Sequence, residues 1–129
     1  MAETTALFAV TQDAQVKRDV TKVVETSTVF ATPQYFTRLD DLAVALQQNE
    51  VSAIIVDIDD HPSEKLADVE PLMARLPFVR LIVTASKQSP ESVIQAMQAG
   101  ARHFLLKSAI AADLPGVLRQ LTPSPVGDS

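Results

Sequence analysis

Along the chain, short hydrophobic runs alternate with longer segments whose apolar residues recur three or four positions apart. Four runs rich in Val, Ile, Leu and Phe have the length of β-strands and cover residues 6–13, 53–57, 80–84 and 102–107. Residues 27–31 predict a short second strand, and the third strand is expected to begin near Val51. Continuous apolar runs that alternate with helices are typical of a parallel sheet buried on both faces.

The segments between these runs predict five helices, each with one apolar stripe. The stripe of the first helix consists of Val16, Val20, Val23 and Val24. The stripe of the second consists of Leu39, Leu42, Ala43 and Leu46, and that of the fifth of Ile110, Leu114, Val117, Leu118 and Leu121. The fold class is therefore predicted to be α/β, a flavodoxin-like doubly wound (βα)5 domain. Its five parallel strands are expected in the order 2-1-3-4-5 with right-handed crossovers.

Prolines complicate two of the predicted helices, since proline fits only the first turn without losing a hydrogen bond. Pro71 interrupts the apolar stripe of the third helix, which either begins near Asp68 or begins near Ser63 and kinks. Pro115 predicts that regular bonding in the fifth helix begins late, at about residue 112 or 113.

The fourth helix has clear end signals. Ser89 is its predicted N-cap, Pro90 its first residue, and Gly100 the residue that ends it. Its apolar positions are Val93, Ile94 and Met97.

Composition and charge limit the class of protein. The chain has 129 residues, 47% of them hydrophobic, which is enough for one buried core, and residues 1–121 are predicted to form one domain. Residues 122–129 are rich in Pro and Ser and are predicted to be a flexible tail or linker.

The absence of Cys excludes disulfides and cysteine chemistry and fits the cytoplasm, the predicted location. The formal charge of 11 − 16 = −5, without any basic run, argues against direct nucleic-acid binding. No apolar stretch has the length of a bilayer span.

Polar side chains follow four of the predicted strands. Asp13 and Asp57 end the first and third, Thr84 ends the fourth, and Lys107 ends the fifth. Because ligands bind at the carboxyl ends of the strands in such sheets, these four side chains are expected to share one site.

The chemistry of the four residues is complementary. A carboxylate at Asp57 could act as a nucleophile that accepts a phosphoryl group, a reaction that needs a hard cation such as Mg²⁺. Asp13 would be a second metal ligand and a carbonyl near Asp59 a third, while Lys107 and Thr84 would contact phosphate oxygens. Each residue also has an ordinary alternative: an acid after a strand often only caps a helix, Thr is common in strands, and Lys is common at their ends. The combination on four strand ends favours a site.

The chain resembles the receiver domains of response regulators, of the chemotaxis-regulator type. The resemblance extends from about residue 6 to residue 121. It is carried by the segments Phe8-Ala9-Val10-Thr11-Gln12-Asp13, Ala53-Ile54-Ile55-Val56-Asp57-Ile58-Asp59, Leu81-Ile82-Val83-Thr84-Ala85 and Ala99-Gly100-Ala101-Arg102-His103-Phe104-Leu105-Leu106-Lys107.

The resemblance implies a role for each matching residue. Asp57 is implied to be the phosphoacceptor and, with Asp13 and the backbone carbonyl of Asp59, a ligand of Mg²⁺. Thr84 is implied to be the switch hydroxyl, Lys107 the conformational lysine, and Phe104 the aromatic residue that changes rotamer. The implied phosphoryl source is a histidine kinase or a phosphotransfer protein. The implied readout is an altered face built from the fourth helix, fifth strand and fifth helix, which contacts a downstream protein, a C-terminal output domain or a second copy in a homodimer.

Three positions depart from the family pattern. Gln12 replaces the first of two adjacent acids, which removes one charge and should weaken Mg²⁺ binding. Ser108 replaces the proline that usually follows the lysine, so the bond after Lys107 is expected to be trans. Residues 60–64 lack the usual Asp-Gly turn, so an atypical loop is expected there.

Three functions remain open from the sequence. The first is a phosphorylation-controlled receiver domain, a signalling module and not an enzyme. The alternative is a pseudo-receiver that acts as a dimerisation or localisation module, similar to those that precede pilus-assembly ATPases (the CpaE/TadZ kind); Gln12 and Ser108 fit it. A flavodoxin-like cofactor binder is disfavoured because the three glycines do not form a phosphate-binding loop.

Overall fold

The computed structural model describes residues 6–27 and 30–121, and these form one five-stranded parallel sheet with helices on both faces. The strands are β1 (Leu7–Val10), β2 (Gln34–Phe36), β3 (Ala53–Asp57), β4 (Arg80–Ala85) and β5 (Ala101–Leu106). The helices are α1 (Ala14–Glu25), α2 (Leu39–Gln48), α3 (Pro62–Arg75), α4 (Pro90–Gln98) and α5 (Ile110–Leu121). The strand order is β2-β1-β3-β4-β5, which confirms the predicted flavodoxin-like topology. The predicted tail, 122–129, lies outside the described residues.

Helices cover both faces of the sheet, and successive strand residues point to opposite faces, so each strand contributes side chains to both core clusters. One core cluster joins the sheet to α2, α3 and α4 and includes Phe8, Val10, Ile54, Val56, Leu81 and Val83. The other joins it to α1 and α5 and includes Leu7, Ala9, Ala53, Ile55, Ile82 and Leu105. Because residues on both faces of a strand are buried, the inner strands appear in the sequence as continuous apolar runs. The apolar stripe predicted for α1 is also buried, as expected.

The second strand was predicted at the wrong place. β2 is Gln34–Phe36, paired with β1 through Tyr35 opposite Ala9. Of the predicted strand 27–31, residues 28 and 29 lie outside the described part, while Phe30 forms only an isolated bridge and packs in the core beside α1. The true strand is short, lies at the sheet edge and is partly exposed, so it lacks the apolar run that marks the inner strands.

Proline is tolerated inside two helices. α3 begins at Pro62 and contains Pro71, which agrees with the earlier of the two predicted starts and not with a start at Asp68. α5 begins at Ile110, straight after a 3-10 turn at Lys107–Ala109, so the predicted late start near residue 112 is wrong and Pro115 lies inside the helix. Buried apolar faces on both helices offset the lost hydrogen bonds.

The ends of α4 are as predicted, but its apolar residues are not its core face. Ser89 accepts a hydrogen bond from the amide of Ser92, and Pro90 opens the helix. Ala96 is buried, whereas Ile94 and Met97 are 57% and 45% exposed. Small alanine side chains thus pack inward, and the large apolar side chains of this helix remain at the surface.

None of the helices in residues 6–27 and 30–121 is long and apolar enough to cross a bilayer.

Gly100 supplies the turn between α4 and β5, and its φ of 107° lies in the left-handed region. Replacement by alanine should lower the free energy of unfolding by about 1–2 kcal/mol, because an L side chain strains this conformation. Gly116→Ala in α5 is the matched control: its Cβ would meet only the far end of Arg119 at 3.8 Å, so helix propensity should leave stability equal or up to about 1 kcal/mol higher. Urea unfolding of both variants measures the difference, and equal losses would contradict the assignment of strain to Gly100.

Candidate functional site

The carboxyl ends of β1, β3, β4 and β5 form one rim of the sheet, where a cavity of about 270 Å³ opens. Its lining includes Asp13, Asp57 and Lys107, three of the four side chains that were expected to share one site, together with Asp59. Gln12, Asp60 and Lys65 complete its charged and amide lining.

Lys107 is the centre of this site. Its ammonium lies 2.8 Å from Asp57 Oδ2, 3.1 Å from Asp13 Oδ2 and 2.7 Å from Asp59 Oδ2. An ammonium has three donors, and three carboxylates accept from it here. The lysine side chain is only 15% exposed, and such burial of a charge is tolerated when it is paired in this way. The three acids and one ammonium leave a formal charge of −3 + 1 = −2.

Asp57 is nearly buried, with 6% of its surface exposed. Besides Lys107, Asp57 Oδ2 accepts a 2.7 Å hydrogen bond from the Thr11 hydroxyl, while Asp57 Oδ1 accepts from the Asp59 amide at 3.1 Å. Thr11 in turn accepts from the amide of Asp13 at 3.1 Å. The end of β3 is therefore held by groups that follow both β1 and β3, and the carboxylate has one fixed orientation.

Asp13 has two functions at once. Its Oδ1 accepts from the amides of Gln15 and Val16 and caps α1, while its Oδ2 accepts from Lys107. Asp13 is therefore both the cap of α1 and a member of the cluster around Lys107.

Asp59 contributes its side chain to the site, which the sequence did not predict. Its carboxylate accepts from the Ser86 amide at 2.7 Å and the Ser86 hydroxyl at 2.6 Å, in addition to Lys107. Thr11 and Ser86 were also missed, because a Thr at a strand end and a Ser in a loop are common without any function. The only available signal was their position one or two residues beyond an apolar run.

Thr84 and Phe104 do not line the cavity with these residues. Thr84 is opposite Asp57 in the β3–β4 register, but its fully buried hydroxyl donates to the Leu105 carbonyl at 2.8 Å. Phe104 is opposite Val83 and packs against the core cluster shared with α4. The structure thus places Thr84 next to Asp57 but bonded to β5, and Phe104 against the core on the α4 side of the sheet.

The loop after Lys107 agrees with one of the predicted departures. The peptide bond after Lys107 is trans, as expected without proline, and Lys107–Ala109 form a 3-10 turn. On the other side, residues 58–61 connect β3 to α3, which begins at Pro62.

The ion pairs shift the pKa values of the site in opposite directions. The hydrogen bond from Lys107 is the largest cause that lowers the pKa of Asp13. Burial acts to raise the pKa of Asp59, but the hydrogen bonds from Lys107 and Ser86 outweigh it and lower the pKa. Burial acts to lower the pKa of Lys107, and its hydrogen bonds to Asp57, Asp59 and Asp13 outweigh this and raise the pKa. Lys107 therefore stays charged at any physiological pH.

The donor set has the chemistry that Mg²⁺ prefers, since hard carboxylate oxygens from three residues converge on one cationic atom. In residues 6–27 and 30–121, however, no group of three or more His, Cys, Asp or Glu side chains is arranged to hold a metal ion. The physical reason is that the three carboxylates point at the ammonium. Asp13, Asp57 and Asp59 fit a divalent cation in donor type and charge, and Lys107 keeps their carboxylates close together.

Comparison with known proteins shows similarity in structure only. No protein-family model matches the chain. No curated protein matches it either. A response regulator from Thermotoga maritima superposes with a TM-score of 0.82 at 16% identity, covering 92% of this chain and 98% of that one. The non-phosphorylated receiver domain of the stress response regulator RcsB from Escherichia coli gives 0.80 at 16% identity, covering 92% and 93%. A CheY-like protein, TadZ, from Pseudomonas aeruginosa PAO1 gives 0.78 at 21% identity, covering 92% and 99%. The chain therefore has the fold of response-regulator receiver domains, including the TadZ kind.

The ion pairs of Lys107 should make the free energy of unfolding depend on pH in the acidic range. Because the folded pKa values of Asp13 and Asp59 are lowered, their contribution is complete above the ordinary value of 3.8 and is lost as the pH falls through and below it. Lys107→Met should cost about 3 kcal/mol at neutral pH, since three carboxylates lose their cation. Without Lys107, repulsion among the carboxylates should raise the pKa values of Asp13 and Asp59, so acid should destabilise this variant less than the native chain, or stabilise it.

Urea unfolding between about pH 5 and about pH 3 measures this difference in slope. Lys65→Met is the control, because Lys65 lines the same cavity and has no ion pair with the described residues. Parallel curves for the native chain and Lys107→Met would show that Lys107 does not lower the pKa values of Asp13 and Asp59, and coinciding curves would show that the three ion pairs add nothing to stability.

Proposed function

We propose that this chain is a receiver domain of two-component signalling that accepts a phosphoryl group on Asp57. The observation that carries the proposal is the 2.8 Å contact between Lys107 Nζ and Asp57 Oδ2, which joins the ends of β5 and β3 at a cavity that Asp13 also lines. A single nearly buried carboxylate, a fixed ammonium and a second acid are the groups that phosphoryl transfer to a carboxylate requires.

The proposed reaction forms one bond and breaks one. An Asp57 carboxylate oxygen attacks phosphorus, the bond from phosphorus to the donor breaks, and an acyl phosphate results. Thr11 and the amide of Asp59 orient the carboxylate, and Lys107 neutralises charge on the transferred oxygens. Mg²⁺, held by Asp13, Asp57 and the carbonyl of Asp59, would neutralise further charge. The proposed donor is a histidine kinase or phosphotransfer protein.

The proposed output is a change at the face formed by α4, β5 and α5. Thr84 would exchange its hydrogen bond to Leu105 for one to the phosphoryl group, and Phe104 would repack beside it. Ile94 and Met97 on α4 are large, apolar and exposed, which suits a surface that binds a downstream protein, an output domain or a second copy. The domain would then act in the cytoplasm as a signalling module and not as an enzyme.

A pseudo-receiver is the second candidate, and the state of the acids favours it. Lys107 and hydrogen bonds from Thr11 and Ser86 hold Asp13, Asp57 and Asp59 in one cluster, which suits a site whose role is structural. Gln12 is exposed at the cavity where the family has an acid. This candidate would act as a dimerisation or localisation module, and the fold shared with the CheY-like protein TadZ is compatible with it.

Treatment with acetyl phosphate and MgCl₂ separates the two candidates. If the domain is a phosphoacceptor, mass spectrometry should show the addition of one phosphoryl group to the native chain and none to Asp57→Asn, which keeps the shape but not the nucleophile. Addition to both, or to neither, would remove the phosphoacceptor function and leave the pseudo-receiver.

Gln12→Asp should restore a charge at the cavity and tighten Mg²⁺ binding by about tenfold, since charge count tunes the affinity of such sites. Isothermal titration measures the change. Gln98→Asp, which adds the same charge at the last residue of α4, is the control and should leave the affinity unchanged. Equal affinities of the native chain and Gln12→Asp would mean that residue 12 has no part in metal binding.

A further inference from the structure

The carboxylate of Asp59 is bound as an anionic ligand would be. Three donors from the loops after β4 and β5 bind this carboxylate: the Ser86 amide at 2.7 Å, the Ser86 hydroxyl at 2.6 Å and Lys107 Nζ at 2.7 Å. The side chain is 28% exposed, so it lies at the mouth of the cavity and not in its floor. Backbone amides, hydroxyls and lysine are also the donors that proteins use for phosphate oxygens.

A phosphoryl group on Asp57 would need some of the same donors. It carries about −1.5 to −2 charges and three acceptor oxygens. The ammonium nearest to Asp57 is that of Lys107, whose three donors already serve Asp57, Asp13 and Asp59. A new anion can therefore contact Lys107 only where one of these carboxylates gives way.

Asp59 is the carboxylate that occupies most of these donors. Asp57 itself would carry the phosphoryl group, and Asp13 Oδ2 accepts from Lys107 at 3.1 Å, whereas Asp59 accepts from Lys107 at 2.7 Å and also from the amide and hydroxyl of Ser86. Asp59 belongs to the short connection between β3 and α3, and the donors of its carboxylate lie after β4 and β5. While it stays bound, it also places a negative charge beside an incoming dianion, which repels it.

We infer that the side chain of Asp59 is a built-in competitor for the phosphoryl group, a carboxylate that occupies Ser86 and Lys107 until an external anion displaces it. The inference rests on the proposed function and adds the regulation of its site: this chain takes up phosphate or its analogues less readily than the same site without the Asp59 carboxylate. In the free protein, the same carboxylate ties the ends of β3, β4 and β5 together.

Beryllofluoride, a tetrahedral stand-in for the phosphoryl group, tests the inference when titrated with MgCl₂ in excess. Asp59→Asn keeps the shape and one acceptor oxygen but removes the charge, and it should bind about tenfold more tightly than the native chain. Asp60→Asn is the matched control: it removes the same charge from the lining of the same cavity, and Asp60 has no hydrogen bond or ion pair with the described residues. Its affinity should stay within about threefold of native.

The outcomes distinguish this inference from the proposed function. Native and Asp59→Asn binding with equal affinity, or Asp59→Asn binding more weakly, would overturn the competitor and leave phosphorylation of Asp57 intact. Equal gains in affinity in Asp59→Asn and Asp60→Asn would show that removing any negative charge from the cavity tightens binding, and this result would also overturn the inference. Absence of binding in all three chains would overturn both. Unfolding curves check that the variants are folded, and Asp59→Ser should repeat the gain if the asparagine disturbs the loop.

Discussion

The ammonium of Lys107 holds together three connections that the chain separates by many residues. Asp13 follows β1, Asp57 ends β3, Asp59 follows it, and all three accept from one nitrogen atom. Without that cation, three negative charges would lie within a few ångströms in a partly buried cavity, and Coulomb repulsion would push the loops apart. The arrangement of the rim, and any chemistry there, depends on this one charge.

The sheet makes this convergence possible. The parallel register places Asp57 opposite Thr84, and Thr84 opposite Leu105, so that three strands end at nearly the same level. The two core clusters fix the sheet between its helices, and the backbone from which Lys107 extends can move little. A rigid sheet with mobile connections is the usual way in which proteins position polar groups for function.

Contacts within the site affect how an external ligand could bind. Lys107, Thr11 and Ser86 already donate hydrogen bonds to the acids, so a ligand that uses the same donors must exchange partners with these carboxylates. Exchange of this kind couples binding to movement of the loops after β3 and β4. The same feature separates the two proposed functions, because a site that never exchanges would serve only as a structural element.

The sequence by itself determined the fold class, the strand order, four of the five strands and the meeting of Asp13, Asp57 and Lys107 at one rim. These features follow from local patterns: apolar runs mark buried inner strands, and polar residues at the carboxyl ends of parallel strands share an edge of the sheet.

The tertiary structure alone decided the rest. The edge strand Gln34–Phe36 has no apolar run, and only its pairing with β1 identifies it. The exposure of Ile94 and the side-chain role of Asp59 also depend on packing between distant segments, which no local pattern records. Above all, the orientation of three carboxylates toward one ammonium is a property of distances in space.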